Sequence, residues 1–323
     1  MANYKDIHGT NIETVTTDPS NPVNGQVWYN STSQVLKGFT SSPVGTWATT
    51  TSLNTARDNA GGAGNSRTAA LVFGGGPPPA PSAIGNTEKW NGSTWTETGN
   101  LNSARAFAGG AGTYTSAIAA GGDGYSGTAE RWTGSSWANI TSSPNTGHTQ
   151  AGTGEDNENA LFVSGSPHSG NGNSDYWNGS SWTELANINT VRAGGVTTGQ
   201  TYTSALYAGG GNAPSSFLSN VEQYNGTSWA ETTDINTGRQ RAGGEGTFPS
   251  SLIFGGYTPS NTANTEAWNG SSWTEVNNLN TARNGNSSAG ASSTDGLYFG
   301  GTPSSATEEF VSPTTNTVTF TAS

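Results

Sequence analysis

The phrase Asn264-Thr265-Glu266-Ala267-Trp268-Asn269-Gly270-Ser271-Ser272-Trp273-Thr274-Glu275 constrains the chain more than any other stretch, because the chain keeps repeating it. Near copies run from Asn86 to Glu97 and from Ser174 to Glu184, with looser ones between. The second Trp of each copy falls at Trp47, Trp95, Trp137, Trp182, Trp229 and Trp273, spacings of 42 to 48 residues. A period in the mid-forties suits a unit of four short strands plus turns, stacked against its neighbours.

Each unit divides into four pieces. Piece a is rich in small residues, as in Gly61-Gly62-Ala63-Gly64 and Gly109-Gly110-Ala111-Gly112. Piece b is a short apolar run ending in glycines: Leu71-Val72-Phe73-Gly74-Gly75, Leu252-Ile253-Phe254-Gly255-Gly256, Leu297-Tyr298-Phe299-Gly300-Gly301. Piece c carries an acid and an aromatic, as in Thr87-Glu88-Lys89-Trp90 and Val221-Glu222-Gln223-Tyr224. Piece d holds the second Trp and follows an Asn-Gly or Thr-Gly turn, a strong hairpin signal. The sizes fit a radial stack: only small residues suit a crowded axis, and large ones fill the widening space outside it. Burying one Trp removes ~200 Å² from water, worth at most ~5 kcal/mol.

Apolar run, Gly-Gly doublet, aromatic, then Trp after a turn resembles the kelch repeat, the blade of galactose-oxidase-like propellers. The resemblance covers residues 53 to about 311, with a third copy that breaks the doublet at Ser164-Gly165 and has His148 where others have Arg. It implies an all-β, kelch-like β-propeller of four-stranded blades. Six a and b pieces are plain, but Val35 to Phe39 and Thr46 to Ala48 add a further c and d. Thr317-Val318-Thr319-Phe320 reads as the last copy's own d, so seven blades are favoured; the alternative is six blades plus an N-terminal hairpin. The expected layout is a polar arm at 1–24 and one propeller domain at 25–323, with 25–50 as a partial first blade and six repeats in 51–323.

Lys and Arg total 11 against 22 Asp and Glu, a balance of -11 that suits neither nucleic acid nor insertion into an anionic membrane. No run of ~18 apolar residues and no signal-peptide core is present. The expectation is synthesis in a cytoplasm without secretion. The chain has no Cys, so a thiolate metal site and the Cys-linked Tyr of galactose oxidase are both excluded.

Arg57, Arg105, Arg192, Arg239 and Arg283 recur before piece a, and Glu88, Glu130, Glu222, Glu266 and Glu308 recur on piece c. Groups that keep the repeat read as paired scaffolding, since catalysis needs groups that break it. The off-pattern acids are Asp123, Glu155 and Glu245, and a glycan hydrolase or lyase would need them to converge. Glu155-Asp156-Asn157-Glu158-Asn159 offers oxygens to Ca²⁺ but reads as a solvated turn. No cofactor or metal is expected, and the chain is read as non-enzymatic.

Length and composition vary most in the b–c connections, which share a face with the d–a links. Irregular loops on a rigid scaffold are where binding concentrates. Tyr125, His168, Phe217 and Tyr257 are therefore the candidate ligand-binding residues. Gly25-Gln26-Val27-Trp28-Tyr29-Asn30-Ser31-Thr32-Ser33-Gln34-Val35-Leu36-Lys37-Gly38 resembles a segment near the start of tailed-phage structural proteins, marine ones especially. That resemblance implies a virion component of tail-fibre or surface type. It would present a propeller face to a host glycan or receptor and dock to other virion proteins through its N-terminal segment. The second reading is a structural module that contacts only other virion proteins; a homo-oligomer is compatible with both.

Overall fold

A computed structural model describes residues 12–20, 25–41, 45–77, 82–123, 127–144, 151–163, 172–213, 215–285, 287–302, 304–311 and 315–320. Among the described residues the chain is all-β and forms seven four-stranded sheets, the number of blades favoured by the sequence. It divides into two compact units, residues 46–311 and residues 1–45 with 312–323.

In the larger unit, blade 1 runs Gly61–Ser66, Ala69–Phe73, Thr87–Trp90 and Trp95–Thr98, each strand antiparallel to the next. The inner strands of blades 2 to 6 are Gly109–Gly112, Ala151–Gly154, Val196–Thr201, Gly243–Thr247 and Ser287–Ser292. Each inner strand neighbours the next, and Ser287–Ser292 returns to Gly61–Ser66, so the six sheets of this unit close a propeller ring. Six apolar clusters sit at the six seams. One joins Phe299 of blade 6 to Trp95 of blade 1, the next joins Phe73 to Trp137, and so on to Phe254 and Trp47.

Small residues line the axis because the backbones nearly touch. A Cβ on Gly110 would lie 2.1 Å from the Gly62 carbonyl oxygen. Side-chain hydroxyls link the inner strands: Thr197 Oγ1 donates to the Gly152 carbonyl at 2.8 Å, and Ser287 Oγ to the Ala60 carbonyl at 2.6 Å.

The strand closing blade 6 corrects one expectation. Thr46–Thr50 pairs antiparallel with Thr307–Val311, placing Trp47 opposite Phe310. Thr315–Phe320 instead pairs with Val35–Ser41 in the other unit. The reason is the slot. It seats an indole that donates to Thr265 Oγ1 at 3.0 Å and meets the Phe254 ring at 4.8 Å, and the C-terminal strand has no Trp.

The smaller unit holds the seventh sheet, in the order Glu13–Val15, Val27–Asn30, Val35–Ser41, Thr315–Phe320. Its first pair is parallel. Asp18 organises it: Oδ1 accepts from Trp28 Nε1 at 3.0 Å and Asn30 Nδ2 at 2.7 Å, and Oδ2 accepts from Lys37 Nζ at 2.6 Å.

Candidate functional site

The repeated Arg and Glu meet inside five of the six blades. Arg57 and Glu88 are 2.6 Å apart with both side chains fully buried, and Arg192 and Glu222 are 2.5 Å apart. Arg105 pairs with Glu130, Arg239 with Glu266, and Arg283 with Glu308 at 3.1 Å. Each Glu also ties down the incoming d–a link; Glu88 Oε2 accepts from the Asn54 backbone N–H at 2.8 Å and from its amide at 3.0 Å. Burial pulls the guanidinium of Arg57 below its ordinary value, while Glu88 opposes the shift. In blade 3 Asp175 replaces the Glu, and Ser143 Oγ donates to it at 2.7 Å; His148 lies outside the described residues. Among the described residues five of the six blades carry the pair, each cation closed on its own blade's carboxylate in the interior and away from any ligand. These residues are scaffold.

The Asn-Gly strings are turns. Asn91 Oδ1 accepts the backbone N–H groups of Ser93 at 3.0 Å and Thr94 at 2.9 Å, and Asn269 does the same for Ser271 and Ser272.

Symmetry breaks at the axial mouth on the face shared by the b–c loops and d–a links. Just before each inner strand, one residue turns into the left-handed backbone region: Asn59 (φ 51°), Phe107 (61°), Gly194 (68°), Arg241 (54°) and Gly285 (72°). Thr149, the matching residue of blade 3, lies outside the described residues. The turn lets the backbones hand hydrogen bonds around the mouth. Asn59 N–H donates to the Gly285 carbonyl at 2.5 Å, Phe107 to Asn59 at 2.7 Å, Arg241 to Gly194 at 2.8 Å, and Gly285 to Arg241 at 3.2 Å. Glycine meets that backbone requirement without a steric penalty, and a bulky side chain there is strained.

Two such side chains nevertheless stand there, on opposite blades. Phe107 belongs to blade 2 and Arg241 to blade 5, and the guanidinium carbon lies 5.7 Å from the ring centroid, within cation–π range. Arg241 is exposed and Phe107 half-buried. They cross over a cavity of ≈ 160 Å³ lined by the starts of the inner strands, among them Gly61, Gly109, Thr197 and Ser288. Among the described residues no carboxylate lies within ion-pair reach of Arg241.

In three blades the residue preceding the left-handed position fastens the loop of the preceding blade. Gln240 Nε2 donates to the Ser216 carbonyl at 2.6 Å, Asn284 Nδ2 to Asn261 Oδ1 at 2.5 Å, and Thr302 Oγ1 to Asp58 Oδ2 at 2.5 Å. These bonds hold the loops that carry two of the expected residues. The rings of Phe217 and Tyr257 meet edge to face at 5.7 Å, and Tyr257 exchanges backbone hydrogen bonds with Gln240, the neighbour of Arg241. Tyr257 is 38% exposed. Tyr125 and His168 lie outside the described residues. Phe107 and Arg241 were missed because they occupy a repeat position that reads as spacer. The available signal was the alignment of Gly194, Gly285 and Asn59 at that position, all residue types tolerant of positive φ.

The off-pattern acids do not come together. Asp123 sits in a b–c loop, where Oδ2 accepts the Ala106 N–H at 2.7 Å. Glu155 lies in the a–b turn of blade 3, at the other end of its strand. There Asp156 Oδ1 accepts the backbone N–H groups of Glu158 at 2.8 Å and Asn159 at 2.9 Å, a self-satisfied turn. Glu245 lines a second axial cavity of ≈ 60 Å³ beyond the first. Burial, reinforced by Asp295, holds its carboxyl well above the usual carboxylate range. No family model matches the chain, and no curated protein matches it.

Proposed function

We propose that the chain is a non-enzymatic binding module of a virion surface or tail fibre, whose loop face engages a host glycan or receptor. One observation carries the binding half of this reading. At the axial mouth, two opposite blades put an arginine and a phenylalanine into a backbone position that glycine fills in two other blades of the same ring. Strained side chains persist where the surroundings impose them, and they concentrate at sites of function. An aromatic face and a guanidinium together suit a ligand with apolar faces and polar edges, and the Phe217–Tyr257 pair extends the aromatic surface along the same loops.

The virion half rests on the Gly25 to Gly38 segment and its resemblance to tailed-phage structural proteins. The kelch-like relation of the blades rests on the recurring doublet, aromatic and Trp. On this reading the N-terminal segment docks to other virion proteins. Glycan arrays and cell-binding assays with the purified protein test the proposal. Binding confined to the cells of one host, weakened by substitutions at Phe107 or Tyr257, is the expected result. Absence of binding to every host surface and glycan, with particles still assembling normally, would overturn it in favour of a purely structural virion module.

A further inference from the structure

We infer that the axial mouth is a subsite for the carboxylate of an acidic sugar, with Arg241 as the anion ligand and Phe107 as the platform beneath the sugar ring. This rests on the glycan-binding reading above and narrows it to one ligand chemistry.

Charge inventory makes Arg241 conspicuous. The chain holds only 11 Lys and Arg against 22 acids, and five of those cations are committed to buried glutamates. Arg67 is held by Asp295 and Glu309, and Lys37 by Asp18. Lys89 lies over the Tyr114 ring, Arg131 is half-buried on strand c of blade 2 away from the mouth, and Lys5 lies outside the described residues. Arg241 is exposed at the centre of the face, and among the described residues its guanidinium meets an aromatic ring from across the axis and no carboxylate. A chain of net charge -11 repels anions in general, so a cation placed here selects one that can enter this spot. The guanidinium fork matches a carboxylate bidentately, which an ammonium cannot do.

The cavity fixes the scale. At ≈ 160 Å³ it is well below the roughly 300–1,000 Å³ of ordinary small-molecule pockets. It suits one terminal residue of a larger chain, with the rest of the glycan lying across the loops towards Phe217 and Tyr257.

The fold supplies the variants for the test. Gly194 and Gly285 already occupy the equivalent position, so Arg241→Gly and Phe107→Gly keep the backbone and relieve its strain. Calorimetric titration would use an oligouronate, a sialylated oligosaccharide, and each again after its carboxyl is reduced to an alcohol. The wild-type protein is expected to bind at least one acidic form, and at least about tenfold more weakly after reduction. Arg241→Gly should lose the same factor, Arg241→Lys part of it, and Phe107→Gly should weaken acidic and reduced forms alike, all with undiminished melting temperature. Equal affinity for acidic and reduced forms, or an unaffected Arg241→Gly variant, would overturn the inference while leaving glycan binding intact. A polyglutamate peptide bound as tightly as the glycan would also overturn it. Failure to bind any glycan would remove the underlying reading too.

Discussion

Glu245 shows how one residue can depart from the repeat without breaking the ring. Its counterparts on the other inner strands are Ala63, Ala111, Thr153, Thr198 and Ala289. Each faces a residue on the following blade, and the pairs adjust in size. Ala63 shares a cluster with Ala117, and Thr198 Oγ1 bonds Ser251 Oγ at 2.8 Å. Glu245 faces Gly290 and Gly296, where added Cβ atoms would lie 2.6 Å from its Cδ and 2.2 Å from its Oε1. Gly296→Ala should therefore cost about 1–3 kcal/mol in urea denaturation, and adding Glu245→Ala should recover much of that loss. The carboxyl also sets a pH dependence. It stays protonated in the fold at pH values where the unfolded chain, near its ordinary 4.5, has already ionised. The folded state then holds the extra proton, so stability falls as pH rises from about 4.5. Glu245→Gln should flatten that decline in chemical denaturation measured across pH and leave stability below 4.5 nearly unchanged. An equally steep decline in the variant would refute this account. The repeat revealed Glu245 as an outlier, but not its glycine partners, because the pairing crosses a blade seam about fifty residues away in the chain.

At the scale of the strand, the second Trp of each blade fills a slot with a built-in partner on the preceding blade. Trp95 donates to Thr307 Oγ1 at 2.9 Å, Trp137 to Thr87 Oγ1 at 3.0 Å, and Trp229 to Ser174 Oγ at 3.1 Å. Where strand c opens with Val221 or Ala129 no hydroxyl is available. Trp273 then turns to the Thr233 carbonyl at 3.0 Å and Trp182 to the Thr141 carbonyl at 2.7 Å. Trp182 is also only half-buried. Trp137→Ala should cost about 3–5 kcal/mol and Trp182→Ala clearly less, read from denaturation midpoints of the two variants. Equal losses would show that the slot does not depend on its hydroxyl and burial. Removing one member of a buried pair is a harsher change: Glu88→Gln should destabilise by about 3–5 kcal/mol, since it leaves the Arg57 charge uncompensated. Strand, turn and ion-pair positions were readable because each recurs with the same neighbours in sequence. The strand that completes blade 6 was not. Thr46–Thr50 and Thr315–Phe320 both alternate like an outer strand, and only the Trp-shaped slot separates them.

Over the whole molecule, the two units answer acid in opposite senses. Lys37, with help from Trp28 and Asn30, pulls Asp18 down to about 2 from 3.8, so its support of the smaller unit is full above 3.8 and fades as pH falls towards 2. Glu245, in the larger unit, contributes most on the acid side. Acid titration followed by near-ultraviolet circular dichroism and amide exchange should find the sheet around Trp28 loosening while the ring amides stay protected. Simultaneous loss of both would count against this assignment. The mouth with Phe107 and Arg241 belongs to this scale as well, because the contact exists only once opposite blades face each other across a closed ring. No local window of sequence contains it. The pairing of Thr50 with Thr307 carries a consequence for how the protein is made. On a ribosome adding ~5–20 residues per second, Trp47 is synthesised roughly 13–50 s before its partner strand. Throughout that interval five blades can assemble while an open edge and a bare indole wait for their partner strand. The nascent chain is then most exposed to capture by chaperones, or by the matching edge of a neighbouring copy on the same messenger.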